Sequence, residues 1–211
     1  MQRPDEKKRA LITATAARLF AQRPFHKVRL EDIAAEAKIG KGTLYIYFDN
    51  KEDLYFSLIY DGFARLVDRL RGQLARPDGP APSAVESLER ITTELVRFAF
   101  GHPHFFELMR TIGAGGLRGH PDTDWNGLRQ ELQTLIEDTI RRGVDAGELA
   151  DPHPQLTAAF LPGMVRSVML FGPRGASETD VREQILRLLE GGIVRRPNAT
   201  GSIPESKRED L

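Results

Sequence analysis

The sequence predicts an all-α fold for this chain of 211 residues. Apolar side chains recur at three- and four-residue spacing along most of it, which is the period of a helix buried on one side. Helix-start residues precede these stretches and proline or glycine follows them. No stretch shows the strict alternation of a strand. We expect a three-helix domain over residues 1–51, a helical domain over 52–196 and a polar, disordered tail over 197–211.

The expected helices follow from periodicity and from the residues at their ends. In the first domain they cover residues 6–22, 30–37 and about two turns from Lys41. Beyond it, Asn50, Ser83, an aspartate (Asp122 or Asp124) and Ser177 are predicted N-caps. The predicted helices of the second domain cover residues 51–74, 84–101, 105–112, 125–146, 155–171 and 178–193.

The composition excludes several classes of protein. Cysteine is absent, so disulfide scaffolds, thiolate zinc sites and thiol nucleophiles are ruled out. The chain opens on charged residues instead of an apolar leader, and no apolar run approaches eighteen residues. We therefore expect a soluble, cytoplasmic protein with no membrane partner.

Charge is distributed unevenly although the formal net charge is zero. Residues 1–51 contain eleven Lys/Arg and six Asp/Glu, a net of +5, so the remainder carries −5. A basic N-terminal part on an acidic body is typical of a nucleic-acid reader whose second domain stays away from the phosphates. Chance scatter in a balanced composition remains the alternative.

The stretch R-L-E-D-I-A-A-E-A-K-I-G-K-G-T-L-Y-I-Y-F, residues 29–48, carries the strongest functional signal. It predicts two short helices joined by a tight break at residues 38–40, the second burying Leu44 and Phe48. The outward face of that second helix is expected to hold a cation, a hydroxyl, two phenols and an isoleucine, without a carboxylate. These residues are Lys41, Gly42, Thr43, Tyr45, Ile46 and Tyr47. Such a face suits phosphate oxygens and thymine methyls, so the pattern predicts a helix-turn-helix that enters a DNA major groove.

The run I-A-x-x-A followed by K-G-T-L-Y-I-Y-F-D-N-K-E-D-L closely resembles the DNA-binding domain of TetR-type (TetR/AcrR-like) transcriptional regulators. The resemblance covers about residues 8–59. Three positions depart from the usual pattern: Arg29 stands where a threonine cap is common, Lys38 where glycine is usual and Gly40 where serine usually caps the second helix. We expect Lys38 to adopt a left-handed conformation.

The resemblance and the residue types together suggest roles on DNA. Lys41, Tyr45, Tyr47 and Lys51 are expected to contact phosphates, Lys51 from the first turn of the next helix. Thr43 and Ile46 are expected to contact bases, Ile46 through a thymine methyl.

The resemblance also implies an effector cavity and a dimer in the second domain. The expected cavity residues, each of which could instead be plain core, are Phe98, Phe105, Met109, Trp125, Leu132, Met164 and Val168. The last two helices are apolar on more than one face, which favours a four-helix homodimer interface over a monomer. Its expected residues are Leu161, Gly163, Val165, Ser167, Met169, Ile185, Leu188 and Leu189.

Catalytic, metal and cofactor sites find little support. The glycine-rich segment 113–119 has neither the preceding strand nor the Gly-Lys-Ser/Thr ending of a phosphate loop. His102, His104 and Glu107 are three potential ligands, but a proline interrupts their spacing. We expect a dimeric repressor, not an enzyme, that a small apolar or aromatic effector releases from a palindromic operator. The alternatives are an effector-independent DNA-binding dimer and a helical enzyme with a vestigial helix-turn-helix.

Overall fold

The structure is a computed structural model that describes residues 5–75, 82–112 and 124–194, except for the side chains of residues 75 and 109–112. A 3₁₀ turn, Phe25–Lys27, follows the first helix. The α-helices of the described residues are α1 Glu6–Gln22, α2 Leu30–Glu36, α3 Lys41–Tyr47, α4 Lys51–Ala75, α5 Ala84–Gly101, α6 Pro103–Ile112, α7 Trp125–Asp145, α8 Pro154–Phe171 and α9 Glu178–Gly192. The predicted all-α fold is confirmed. The predicted tail and glycine-rich segment lie outside the described residues.

Side-chain caps begin the helices where the sequence predicts them. Ser83 accepts a hydrogen bond from the Glu86 N–H at 3.1 Å, and the Glu86 carboxylate accepts one from the Ser83 N–H at 3.1 Å. Ser177 and Asp180 repeat this reciprocal box at α9. Asn50 accepts from the Asp53 N–H at 2.7 Å at the start of α4. Each cap satisfies a backbone donor that has no partner within its helix.

Two clusters of buried side chains divide the molecule. The smaller one joins α1, α2, α3 and the start of α4, and it includes Ile12, Ile33, Leu44, Phe48 and Leu54. The larger one joins the rest of α4 to α5–α9. Helix α4 contributes to both clusters without a break over its 25 residues. The two parts of the molecule therefore share one continuous helix.

Helix α5 is central in the larger part, where it packs against α4, α7, α8 and α9. The start of α5 lies close to α7. A Cβ atom placed on Gly143 of α7 would collide with Ala84 of α5 and with Leu149. Beyond α7, the Ala150 N–H donates to the Ile193 carbonyl at 2.7 Å, and Leu149 pairs with Val194 in an isolated β-bridge. None of the helices in the described ranges is both long and apolar enough to cross a membrane.

The orientation of α8 and α9 corrects half of the predicted dimer interface. Leu161 is fully buried and Val165, Ile185 and Leu189 are nearly so, all within the core of their own domain. The outer side of these helices instead presents large apolar side chains that are about half exposed or more. These are Leu156, Phe160, Phe171 and Leu188. Gly163 and Ser167 are also exposed, and Met169 is half-buried.

Candidate nucleic-acid interface and ligand cavity

A tight turn between α2 and α3 sets the angle of the helix-turn-helix. Lys38 has a φ of 55°, the left-handed conformation expected from the sequence. The Ile39 N–H donates to the Ala34 carbonyl at 3.0 Å, which closes the end of α2. Gly40 then precedes α3 with an extended backbone and no side-chain cap. The left-handed conformation costs a non-glycine residue such as Lys38 free energy on the order of 1 kcal/mol. Packing of α2 and α3 on one core holds Lys38 in that conformation.

Helix α3 buries one side and presents the other. Leu44 is fully buried, whereas Ile46 is 68% exposed and Tyr45 43% exposed. Lys41 and Gly42 are exposed and Thr43 is half-buried on the same outer side. With 68% of its surface exposed, the Ile46 side chain buries little against the core, so it is accessible to a partner surface.

The prediction that Tyr47 lies on this outer face was wrong. Tyr47 is only 7% exposed, and its hydroxyl accepts a hydrogen bond from the Asp5 N–H at 3.0 Å. Its position explains this, because Tyr47 comes three residues after the buried Leu44 and therefore lies on the same side of the helix. Its ring belongs to the small core and its hydroxyl ties down the start of α1.

Lys41 is already paired in the DNA-free protein. Its Nζ lies 2.5 Å from Glu31 Oε1 and 5.8 Å from the centroid of the Tyr45 ring. The hydrogen bond between the two side chains raises the pKa of Lys41 and lowers that of Glu31. Both side chains are at least half exposed, so a phosphate can compete with Glu31 for the ammonium.

Lys51 is also engaged, in a way that the sequence did not suggest. Its ammonium donates to the Phe25 carbonyl at 2.9 Å and lies 4.2 Å from the centroid of the Phe25 ring. An ammonium has three donors, and this contact uses one of them. The phosphate contact expected of Lys51 stays a prediction.

Phe25 belongs to an aromatic joint between the small and large parts, which we define as Phe20, Phe25, Tyr55 and His104. The Phe25 ring centroid lies 5.5 Å from that of Phe20, 5.0 Å from Tyr55 and 6.3 Å from His104. Burial raises the pKa of Tyr55 to about 12, against the opposing effect of a hydrogen bond to the backbone of Phe105. The joint therefore connects α1, the 3₁₀ turn, α4 and α6. Sequence reasoning missed it because its members come from four separate segments.

A cavity of about 350 Å³ lies between α4, α5, α6, α7 and α8. Four of the seven predicted residues line it: Phe98, Phe105, Trp125 and Leu132. Aromatic rings are packed along its wall. The Trp125 and Phe105 rings are stacked with their centroids 5.8 Å apart, and the centroids of the Phe63 and Phe98 rings are 5.4 Å apart. The side chain of Met109 lies outside the described residues.

Two of the predicted ligand-binding residues, Met164 and Val168, do not line this cavity. Both line a separate groove between α8 and α9, together with the predicted dimer residues Ser167, Ile185 and Leu188. The residues of α8 that line the cavity are Ala159, Pro162, Gly163, Val165 and Arg166. Met164 and Val168 are four residues apart and therefore lie on one side of α8, the side that borders the groove with α9.

Polar groups at the cavity were also missed. Arg129, Gln133 and Arg166 line it, and the buried Trp125 Nε1 atom has no hydrogen-bond partner among the described residues. The predicted metal candidates make other contacts: His102 Nδ1 lies 2.7 Å from the Phe98 carbonyl, and His104 Nδ1 lies 3.3 Å from Glu107 Oε2. Within the described ranges, no three histidine or carboxylate side chains converge as metal ligands.

The exposed face of α3 on a helix-turn-helix, joined by an unbroken helix to a helical body with a cavity between its helices, defines a helix-turn-helix DNA-binding protein with a regulatory domain. The comparisons agree with this class. A profile of bacterial regulatory proteins of the tetR family matches residues 12–58, and a profile of the tetracyclin repressor-like C-terminal domain matches residues 81–193. The chain belongs to the TetR family of DNA-binding transcriptional regulators and is not an enzyme.

Individual relatives are similar over different lengths. The HTH-type transcriptional regulator YuxN of Bacillus subtilis is 36% identical over 75 residues, which are 36% of this chain and only 26% of that protein. The HTH-type transcriptional repressor NicS of Pseudomonas putida is 26% identical over 158 residues, 71% of each chain. A transcriptional regulator from Saccharomonospora viridis, solved in complex with choline, superimposes with a TM-score of 0.67 at 25% identity, over 91% of this chain and 100% of its own.

The two tyrosines of α3 provide a matched pair of substitutions. We expect Tyr47→Phe to lower the free energy of unfolding by about 0.5–1 kcal/mol, because it removes the acceptor for the Asp5 N–H. We expect Tyr45→Phe to leave stability unchanged and to weaken binding to an operator duplex severalfold. Urea unfolding and fluorescence anisotropy measure the two effects. Equal losses of DNA affinity, with no change in stability for Tyr47→Phe, would contradict these assignments.

The Lys41–Glu31 pair predicts a gain of function. We expect Glu31→Gln to strengthen DNA binding about threefold at low salt, since it frees the Lys41 ammonium for phosphate, and we expect the gain to fade as salt screens the charges. Glu36→Gln is the control, because Glu36 lies on the same helix in a pair with Arg18 of similar exposure. Anisotropy titrations over a range of salt concentrations make the comparison. If both variants gain equally, net charge alone explains the effect.

Proposed function

We infer that the protein is a homodimeric repressor whose two α3 helices occupy successive major grooves of a palindromic operator, and that a small molecule in the cavity releases it. The exposed face of α3 carries this proposal, since it presents a cation, a phenol and an isoleucine on the outer side of a helix-turn-helix. Grooves on one side of B-DNA repeat about every 34 Å. Two copies held at that spacing, or at a multiple of it, would read both half-sites.

The roles on DNA follow from exposure. Lys41, Tyr45 and Lys51 contact phosphates, while Thr43 and Ile46 reach base edges. Gly42 allows the backbone of α3 to approach the duplex, because it has no side chain in the way. Residues 1–51 form the reading domain in this proposal, and residues 52–196 form the domain that binds the effector and the second copy. The similarity to the transcriptional repressor NicS supports repression over activation.

The second copy is proposed to cover the outer side of α8 and α9. Leu156, Phe160 and Phe171 form a stripe along α8, and Leu188 of α9 adjoins it across the groove between the two helices. Exposed apolar side chains in one continuous area are characteristic of an interface. A symmetric pair of such surfaces would form a four-helix contact in which each copy buries the same residues.

The effector is proposed to bind with different affinity to two states of the dimer, which differ in the distance between the two reading domains. The cavity contacts α4 through Phe63, and α4 runs unbroken from there to Lys51 at the candidate DNA surface. A molecule that fits the cavity better at one tilt of α4 would shift the dimer towards that tilt. The Saccharomonospora viridis protein holds choline on a similar fold, which supports a small-molecule role for the cavity.

Sequence preference tests the reading role. An operator is first selected from random duplexes with the wild-type protein, and the selection is then repeated with Ile46→Ala. We expect a changed base preference at one position in each half-site, because the isoleucine methyl groups contact thymine. Leu11→Ala is the control, since Leu11 is a large apolar side chain on α1 with 46% exposure. A uniform loss of affinity over all sequences with Ile46→Ala would contradict base reading.

Association state tests the interface. We expect Phe160→Glu combined with Leu188→Glu to produce a folded monomer in sedimentation experiments, because carboxylates would meet across the two-fold axis. Operator affinity should fall on the order of 100-fold or more, since binding to two half-sites is no longer linked. Leu11→Glu adds a carboxylate to an exposed apolar site elsewhere and should leave the dimer intact. A stable dimer in the double variant would refute this surface.

A further inference from the structure

The polar atoms around the cavity are mainly hydrogen-bond donors. Arg129 and Arg166 line its edge, and neither guanidinium forms a hydrogen bond or ion pair with another described residue. A guanidinium offers donors and no acceptor. The Trp125 Nε1 atom is a buried donor that no described residue satisfies, and an indole nitrogen can only donate. Of the polar side chains that line the cavity among the described residues, Gln133 alone can also accept.

The charge at the cavity is positive. Two arginines line it, and none of the described lining residues is an aspartate or glutamate. A carboxylate or phosphate is the group that arginine binds best, often through two parallel hydrogen bonds.

The remaining wall is apolar and largely aromatic. Phe63, Phe98, Phe105 and Trp125 supply rings, and Leu132 and Val165 supply aliphatic groups. Aromatic rings alone would also suit a quaternary ammonium. The two arginines argue against a cation here, because they repel it and no described lining carboxylate compensates.

A polar groove continues from the cavity along α7. Arg129 and Gln133 line both, and Asn126, Gln130 and Thr134 extend the groove. The one carboxylate among its described lining residues, Glu137, accepts hydrogen bonds from Arg141 at 2.9 and 2.6 Å, so its charge is already paired. The cavity is therefore apolar along most of its wall and cationic at its two arginines, and Arg129 and Gln133 are shared with the polar groove.

We propose that the effector is an amphiphilic anion, with an apolar chain or ring system among the aromatic side chains and a carboxylate or phosphate group held by Arg129 and Arg166. This inference rests on the proposed function, because it names the chemical class of the molecule that occupies the regulatory cavity. A cavity of about 350 Å³ is at the lower end of the usual range for small-molecule sites. The apolar part is therefore of medium size.

Trp125 provides a direct readout, since it is the sole tryptophan of the chain and lines the cavity. Its emission is followed in the full-length protein during titration with decanoate, decanol and decyltrimethylammonium, which share one alkyl chain and differ in head-group charge. We expect decanoate to bind at least about tenfold more tightly than either of the others, a difference of about 1.4 kcal/mol. Tighter binding of decanol or decyltrimethylammonium overturns the inference.

A fourth titration with decanoyl-coenzyme A distinguishes the two sources of negative charge. If it binds more tightly than decanoate, phosphate groups on the polar groove supply the anion. If decanoate binds more tightly, the free carboxylate is recognised. Either order supports an anionic head group when decanol remains weaker than both.

Substitution of the arginines tests how the head group is held. We expect Arg129→Gln combined with Arg166→Gln to weaken decanoate binding at least about tenfold and to change decanol binding less than about twofold. Arg142→Gln is the matched control, an exposed arginine near the end of α7 that does not line the cavity. Both cavity arginines are exposed, so the double variant is expected to keep the helical circular dichroism of the wild type. Equal losses for decanoate and decanol overturn the inference.

Two failures can be told apart. If none of the four compounds alters Trp125 emission while the protein binds its selected operator, both the effector role of the cavity and the anionic class are overturned, and DNA binding stands alone. If a neutral or cationic compound binds and releases the operator, the proposed regulation survives and only the anionic class falls.

Discussion

The aromatic joint is the contact on which the relation between the two parts of the molecule depends. Among the described residues, it adds a contact with α6 to the connection that α4 makes between the helix-turn-helix and the larger domain. Phe25 comes from the small part, Tyr55 from α4 and His104 from α6, and their rings meet in one place. Lys51 adds an ammonium to the outer face of the Phe25 ring. The orientation of the helix-turn-helix relative to the larger domain is therefore fixed by side-chain packing as well as by α4.

The joint also borders the cavity. Phe105 lines the cavity with its ring, and its backbone lowers the pKa of the Tyr55 hydroxyl against the larger effect of burial. Tyr55 packs on Phe25, and the Phe25 carbonyl accepts from Lys51. A displacement of α6 by a molecule in the cavity would thus reach a side chain proposed to contact DNA through a continuous set of contacts. Continuity alone is not coupling, which requires that the ligand prefer one of two arrangements.

Local features of this fold were predictable from the sequence, and tertiary ones were not. The caps at Ser83 and Ser177 need only neighbours in the chain, so their prediction was confirmed. Tyr47 was misplaced because a tyrosine suits either a phosphate or a small core, although its spacing from Leu44 favoured the core. Both sides of α8 are apolar, so periodicity could not tell the buried Leu161 from the exposed Phe160. Arg129 and Arg166 come from different helices, and only folding brings them to one cavity.

The length of α4 explains why a small change at the cavity would suffice in the proposed dimer. Phe63 and Lys51 are separated by about 18 Å along the helix axis, at 1.5 Å per residue. A tilt of about 5° around the cavity would then move the start of α4 by roughly 1.5 Å. Hydrogen bonds to phosphate fail when donor and acceptor separate by more than about half an ångström beyond their usual 2.7–3.2 Å. If the two reading domains of the dimer moved in opposite directions, they could no longer contact both half-sites of the duplex at once. An effector therefore need not unfold any part of the protein to release the DNA.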